Sequence, residues 1–256
     1  MFHQLRRHPV PVVSHFDHCL VLTYAGLADV LREQLPPGLE IDRFGESGEL
    51  GFLAVAIVQT RRLRPAGLPA LLGRDFFLVG YRIFCRFHGH GGRSLRGLRI
   101  LRSDTDRRTM VCFGNLLTHY NYRRAKVRWS ETSTQLNVEV ITPRSDADLT
   151  VHAFPSPEPA QLPVGSCFTS VKEARRFAGP LPYTFDYEPE THSIIAIKAT
   201  RAEWHPMPIR VEVVRNTFIE TDPFKDARLR LVSAFHTAGI AYHWERGVRY
   251  LLPRTR

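Results

Sequence analysis

Leu50 to Thr60 (LGFLAVAIVQT) is a nearly continuous apolar run of small and branched residues, and it constrains the fold more than any other segment. Successive side chains of a β-strand point to opposite faces, so a run that is apolar at both parities needs cover on both sides. Strand patterns surround it: Val10 to Leu22, Phe76 to Phe87 and Leu95 to Leu101 in the first half, then Ile194 to Lys198, Ile209 to Phe218, Leu229 to Phe235 and Ile240 to Trp244 in the last third. Tyr122 to Trp129 and Gln135 to Ile141 alternate polar with apolar residues around a polar stretch at Ser130 to Thr134, the pattern of an antiparallel hairpin. Helical spacing is confined to Tyr24 to Leu35, with Asp29 near its start, to Arg107 to His119, with Asp104 and Asp106 before it as N-caps, and to Ser170 to Phe177. Numerous strands with few, short helices predict a mainly β (α+β) chain: one antiparallel β-barrel domain over residues 1–256.

With 256 residues, 43% of them apolar, the chain can bury one large core. No apolar run approaches the roughly 18 to 20 residues of a membrane helix, and the short one beginning at Cys19 follows several histidines and arginines rather than a signal-peptide layout. The expectation is a protein with no membrane partner, in the cytoplasm. Cys19, Cys85, Cys112 and Cys167 lie far apart without a Cys-x-x-Cys pair, which fits reduced thiols and neither a zinc knuckle nor a thioredoxin motif.

The formal charge is +10, and lysine supplies only Lys126, Lys172, Lys198 and Lys225, leaving 31 arginines among the 35 basic residues. Guanidinium groups bind phosphate bidentately, so this excess admits a basic nucleic-acid-binding module; it equally describes a solvated surface. Aromatics and arginines are not interleaved in a recognisable binding motif, and nucleic acid is not an expected partner. A homo-oligomer is compatible with the sequence.

Arg82 is a lone arginine inside an apolar strand, and burying such a charge is costly unless a carboxylate or ligand answers it. Asp104 is the first partner to consider; the other reading places Arg82 on a solvent face. Tyr122, Arg124, Lys126 and Arg128 share one strand parity, and Arg123, Ala125, Val127 and Trp129 the other. Either set can face the interior, and a split with only Tyr122 and Arg124 near a ligand is also open. His88 with His90, and His15 with His18, have the spacing of paired metal ligands, but no third ligand is evident and no metal is expected. Ser166 and Ser170 lack a nucleophile-elbow context and read as loop or cap residues, and no phosphate loop or dinucleotide fingerprint calls for a cofactor.

Four segments carry a family likeness. They are Asp29-Val30-Leu31-Arg32 running into Leu35-Pro36-Pro37-Gly38-Leu39-Glu40-Ile41-Asp42, then Arg64-Pro65-Ala66-Gly67-Leu68-Pro69, then Tyr81-Arg82-Ile83-Phe84, and last Gly97 to Asp106 continuing to Asn121-Tyr122-Arg123-Arg124-Ala125. In this order they resemble the YqjF-like family of uncharacterised bacterial proteins within the acetoacetate decarboxylase-like superfamily, over roughly residues 20 to 130. The resemblance implies a cone-shaped barrel with a small-molecule cavity inside it.

It does not imply decarboxylation. In acetoacetate decarboxylase a Tyr-Pro-Lys-Lys segment supplies a Schiff-base lysine of lowered pKa, whereas the matching residues here are Tyr120-Asn121-Tyr122-Arg123. Two more positions depart from the decarboxylase, with Ala25 in place of an arginine and Leu78 in place of a cavity glutamate. The leading reading is a barrel that binds an anionic or carbonyl-containing small molecule, with Arg82, Asp104, Asn121, Tyr122 and Arg124 as the candidate ligand-binding residues and Tyr122 as hydrogen-bond donor or general acid. The alternative is an imine-forming lyase with a relocated lysine, Lys126 or Lys198.

Overall fold

The computed structural model of the protein describes residues 2–89, 92–155, 161–179, 181–202 and 204–253. Among the described residues the chain forms β1 (Val12–Leu27), α1 (Ala28–Arg32), β2 (Leu39–Ile41), β3 (Leu50–Pro65), β4 (Arg74–His88), β5 (Ser94–Thr105) and α2 (Arg108–Leu117). There follow β6 (Tyr122–Arg124), β7 (Lys126–Glu131), β8 (Leu136–Ile141), β9 (Leu149–Phe154), α3 (Val171–Ala178), β10 (Tyr183–Glu188) and β11 (Ser193–Arg201). The C-terminal part adds β12 (Met207–Pro208), β13 (Arg210–Asn216), α4 (Thr217–Glu220), β14 (Arg230–Trp244) and β15 (Val248–Leu251).

Seven of these strands close into a ring in the order β14, β1, β3, β4, β5, β10, β11, and β11 returns to β14 where Ala199, Thr200 and Arg201 face Trp244, His243 and Tyr242. Its neighbours are antiparallel except β5 and β10, which run parallel. A smaller antiparallel sheet, β13-β9-β8-β7, packs outside the ring. The apolar run in β3 explains both layers: Leu53, Val55 and Ile57 point outward with Val79, Tyr81 and Ile83 of β4, against Val138 and Val140 of β8 and Leu149 and Val151 of β9. Ala54, Ala56 and Val58 point into the ring. Each fully buried Leu, Ile or Phe here contributes about 1.5–3 kcal/mol.

One end of the ring is plugged. Phe52 and Phe84 meet Phe168 before α3 and Phe177 within it, while Phe44 lies edge-on to Phe52, Phe168 and Phe177 at ring separations of 5.7, 5.3 and 4.8 Å. The N-terminus of α3 is held by Ser170, whose hydroxyl accepts the Glu173 N–H at 3.1 Å, the cap role expected of that serine.

Three local expectations need correction. The helix expected over Tyr24 to Leu35 is only α1, because Tyr24 to Leu27 stay paired with Leu53 to Leu50 as the end of β1. The strands expected at Leu229 to Phe235 and Ile240 to Trp244 are one, β14, continuous through Gly239. Neither Asp104 nor Asp106 caps α2: the Asp106 carboxylate accepts the Phe77 N–H at 2.8 Å and Asp104 is paired with Arg102, so α2 begins without a side-chain cap.

The ring seam between β11 and β14 is three residues long, whereas β1 pairs with β3 along nearly its full length. Backbone amides near Ala199 to Arg201 should therefore exchange with deuterium well before those of Leu20 to Leu22, as hydrogen-exchange mass spectrometry would read.

Candidate functional site

The ring encloses a cavity of about 400 Å³. Its wall comes from the inward parity of the long strands: Phe16, Cys19 and Val21 on β1, Ala54 to Thr60 on β3, Phe76 to Phe84 on β4, and Tyr242 and Trp244 on β14. No aspartate, glutamate or lysine is among the described residues that line it.

Arg82 projects into this space from β4. The Arg82 side chain folds back along its own strand over Gly80, where a Cβ would stand 3.0 Å from Nε and 3.1 Å from Nη2. A glycine inside a strand marks such a close approach, and Gly80 was the signal that could have placed the guanidinium from sequence. The Arg82 Nε is buried and has no hydrogen-bond partner, and Arg82 forms no ion pair with another described residue. Trp204 Nε1 and Thr60 Oγ1, also on the cavity wall, are buried and unpartnered as well.

A bulge separates Arg82 from the partner expected for it. Tyr81 faces Arg102, yet Arg82 faces Ile100, so Leu101 is an extra residue on β5. A bulge of this kind inverts which side chains point to a given face. Leu98 and Ile100 line the cavity before it and Ser103 after it, while Arg102 and Asp104 turn to the other face. There Arg102 Nε donates to both Asp104 oxygens at 2.9 Å and its Nη2 to Asp146 at 2.9 Å. Burial pushes the Asp104 carboxyl up to about 6, against the pull of Arg102. Asp104 belongs to that outer cluster rather than to the cavity.

Tyr122 is set by α2. A Cβ on Gly114 would overlap the Tyr122 ring, so only glycine lets the phenol lie across the helix. Asn115 fixes its backbone, with Nδ2 donating to the Tyr122 carbonyl at 2.9 Å and Oδ1 accepting the Tyr122 N–H at 2.8 Å. The Tyr122 ring lines the cavity beside Tyr120 and Ser103. Asn121 does not line it: its backbone sits at φ 52°, a left-handed conformation that asparagine tolerates, and its Nδ2 donates to the Leu101 carbonyl at 3.1 Å. Arg124 is exposed and outside the cavity, as are Lys126 and Arg128, while Ala125, Val127 and Trp129 pack on the outer core. The parity question is thus resolved by a break between β6 and β7, with Tyr122 alone of the basic set reaching the interior. Lys198 is half-exposed and pairs with Glu245 at 3.2 Å.

Arg201, Tyr242 and Tyr120 complete the polar wall and were not singled out from the sequence. Arg201 Nη1 donates to the Tyr242 hydroxyl at 3.1 Å and Nη2 to the Leu181 carbonyl at 3.2 Å. Burial raises the pKa of the Tyr122, Tyr120 and Tyr242 phenols, with Arg82 opposing for Tyr122 and Arg201 opposing first for Tyr242. Burial likewise pushes the Cys19 thiol up to about 11 despite Arg82 and Arg201, and pushes the His8 imidazole down to about 4.

The positions that depart from the decarboxylase fall as follows: Leu78 and Tyr122 line the cavity, and Ala25 joins the phenylalanine plug. His18 hydrogen-bonds His236 at 3.1 Å and its Nε2 lies 3.2 Å from the Glu131 carboxylate, and His88 meets Glu40 at 3.1 Å, whereas His90 lies outside the described residues. No group of three His, Cys, Asp or Glu able to hold a metal exists among the described residues. Ser166 donates to the Val232 carbonyl at 2.8 Å as a loop residue. No helix among the described residues is long and apolar enough to cross a membrane.

A strand ring around a ligand-sized interior, plugged by a helix and wrapped by a second sheet, is the acetoacetate decarboxylase-like fold. The acetoacetate decarboxylase of Legionella pneumophila subsp. pneumophila str. Philadelphia 1 superposes with a TM-score of 0.64 at 12% identity, over 94% of this chain and 87% of that one. The enduracididine biosynthesis enzyme MppR complexed with pyruvate gives 0.62 at 12% over 94% and 90%, and an acetoacetate decarboxylase-like enzyme from Sphingomonas wittichii RW1 gives 0.59 at 11% over 96% and 94%. Residues 14–241 match the family described as uncharacterized conserved protein, DUF2071, and the chain belongs to that YqjF-like family. No curated protein matches it in sequence.

Cys19 should stay unreactive. Its folded pKa lies above the ordinary 9.0, so the stability gained by keeping the thiol neutral is intact below about pH 9 and falls as pH rises toward 11. At pH 7.5, iodoacetamide followed by peptide mass mapping should label exposed Cys112 and leave Cys19 unmodified.

Proposed function

We propose that this chain binds, and has the groups to act on, a small organic molecule bearing a carboxylate or carbonyl, held without a covalent link by Arg82 and the Tyr122 hydroxyl. The observation that carries this reading is the unanswered Arg82 guanidinium in a cavity wall without carboxylates. Arg82 is half-buried with its Nε withdrawn from solvent and unpartnered; desolvating a guanidinium without a partner is unfavourable, and an anionic or strongly dipolar ligand offsets that cost while a cation or neutral hydrocarbon does not. Likeness to MppR complexed with pyruvate and to acetoacetate decarboxylases supports a ligand of this chemistry.

The chemistry proposed here avoids an imine. None of the four lysines lines the cavity, and the residue matching the Schiff-base lysine is a phenol held protonated by burial. A protonated Tyr122 donates a hydrogen bond, and beside a guanidinium it can stabilise charge developing on a carbonyl oxygen. It cannot supply the electron sink that a covalent imine gives to a departing carboxylate.

Two measurements test this reading. Calorimetric titration with butyrate, pyruvate and acetoacetate should show saturable binding, which Arg82→Met weakens by about 30-fold to 1,000-fold, the usual effect of removing one partner of a buried charge pair. Borohydride with acetoacetate should leave no adduct on any lysine and no decarboxylation should be seen. A trapped adduct on Lys126 or Lys198, lost on change to alanine, would replace the proposal with a relocated-lysine lyase.

A further inference from the structure

We infer that the ligand of this cavity is an amphipathic monocarboxylate, with its head at Arg82 and an acyl or similarly extended apolar chain running to the open end of the ring. This rests on the reading of Arg82 as an anion site and specifies what the rest of the cavity receives.

The cavity is long rather than round. On β4 the guanidinium lies over Gly80, opposite Ala56, and the open end is reached at Arg74, opposite Leu63. Six residues of strand span about 20 Å, and barrel tilt reduces that to roughly 15 Å along the axis. Between the two levels the inward side chains are Leu78 and Phe76 on β4, Val58 and Thr60 on β3 and Phe16 on β1. On this β3–β4 side only the Thr60 hydroxyl interrupts the apolar wall, and Tyr242, stacked on Phe16 at 4.7 Å, and Arg201 add polar groups from β14 and β11. A keto acid of a few carbons would occupy the neighbourhood of Arg82 and leave that wall uncovered, whereas an extended hydrocarbon covers it.

The open end carries the same signature. Leu72 and Phe113 line the cavity and are also 59% and 57% exposed, and Leu71 next to them is 94% exposed. Large apolar side chains that line a largely apolar channel and are also exposed, here with Arg64 and Arg74 on the same lining, mark a place where an amphipathic partner passes or rests. The head-group end selects a carboxylate, because a planar guanidinium pairs bidentately with a planar carboxylate. With no carboxylate in the wall, nothing repels the anion.

The test is a chain-length series on the intact protein: butyrate, hexanoate, octanoate and decanoate at pH 7.5 by isothermal titration calorimetry, with methyl octanoate as the uncharged comparator. Affinity should rise about fourfold per added methylene, the transfer free energy of one buried CH₂, and methyl octanoate should bind at least tenfold more weakly than octanoate. Val58→Phe narrows the channel between Arg82 and the mouth and should reduce the decanoate-to-butyrate affinity ratio by more than tenfold. Equal affinity along the series, with binding still lost in Arg82→Met, would overturn the long-chain inference and leave the anion site standing. Binding of octanoate and its methyl ester with equal affinity, unchanged in Arg82→Met, would overturn both.

Discussion

Closing seven strands into a ring fixes what each strand face must do. A strand in an open sheet can leave one face to water, but in a ring the inner face is removed from bulk solvent whatever residues it carries. In this protein the outer face of β3 and β4 is covered as well, by the small sheet β13-β9-β8-β7. Both parities of the strand therefore have to be apolar where both faces are covered, and from Phe52 to Val58 they are. The interior is not filled by its own side chains because the inward residues of β3 are small, Ala54, Ala56 and Val58, while the large ones, Leu53 and Ile57, are spent on the outer core. A cavity follows from that division of sizes, and the phenylalanine plug with α3 closes one of its ends.

Within this ring a single extra residue decides the chemistry. Were β5 regular through Leu101, Arg102 and Asp104 would keep the parity of Leu98 and Ile100 and face inward beside Arg82. Arg82 would then have a carboxylate partner, and the site would hold a closed ion pair of little use to an anion. The bulge sends Arg102 and Asp104 outward together, where they neutralise each other with Asp146. The cavity wall keeps its arginines, Arg82 among them, and among the described residues that line it there is no carboxylate. Gly80 completes the arrangement by letting the guanidinium lie flat on the strand instead of extending across the lumen.

The same two devices mark where sequence reading succeeds and where it stops. Burial at both parities, the hairpin of β7 and β8, the helix at residues 108–117 and the Ser170 cap are encoded in local patterns, and each was legible. Arg82 and Tyr122 were legible as candidates because one is a charge in an apolar strand and the other stands where a resembling family carries its reactive group. Asp104 was assigned to the cavity because period-2 alternation carries no notice of a bulge. Asn121 was drawn in by adjacency to Tyr122 and Arg124 by sharing its strand parity, although one serves a left-handed turn and the other lies in solvent beyond the strand's first residues. Arg201 and Tyr242 reach the cavity through the short β11–β14 seam, a pairing between distant segments with no local signature.

The remaining question is whether a site of this kind converts its ligand or only holds it, and charge accounting bears on it. Among the described residues that line the cavity, Arg82 carries a buried Nε without a hydrogen-bond partner, and its guanidinium can answer one negative charge at a time. If a ligand carboxylate occupies it in the ground state, the same charge cannot be newly recruited when negative charge develops on a neighbouring carbonyl oxygen. Interactions equally strong in ground and transition states leave kcat unchanged. Differential stabilisation would then fall to neutral donors, the Tyr122 and Tyr242 hydroxyls and Trp204 Nε1, each a weaker source of it than a full charge. A ligand placing a carbonyl rather than a carboxylate at Arg82 reverses this balance, because the guanidinium then gains strength as the oxygen becomes anionic. The head group that Arg82 receives thus separates a carrier from an enzyme in this cavity.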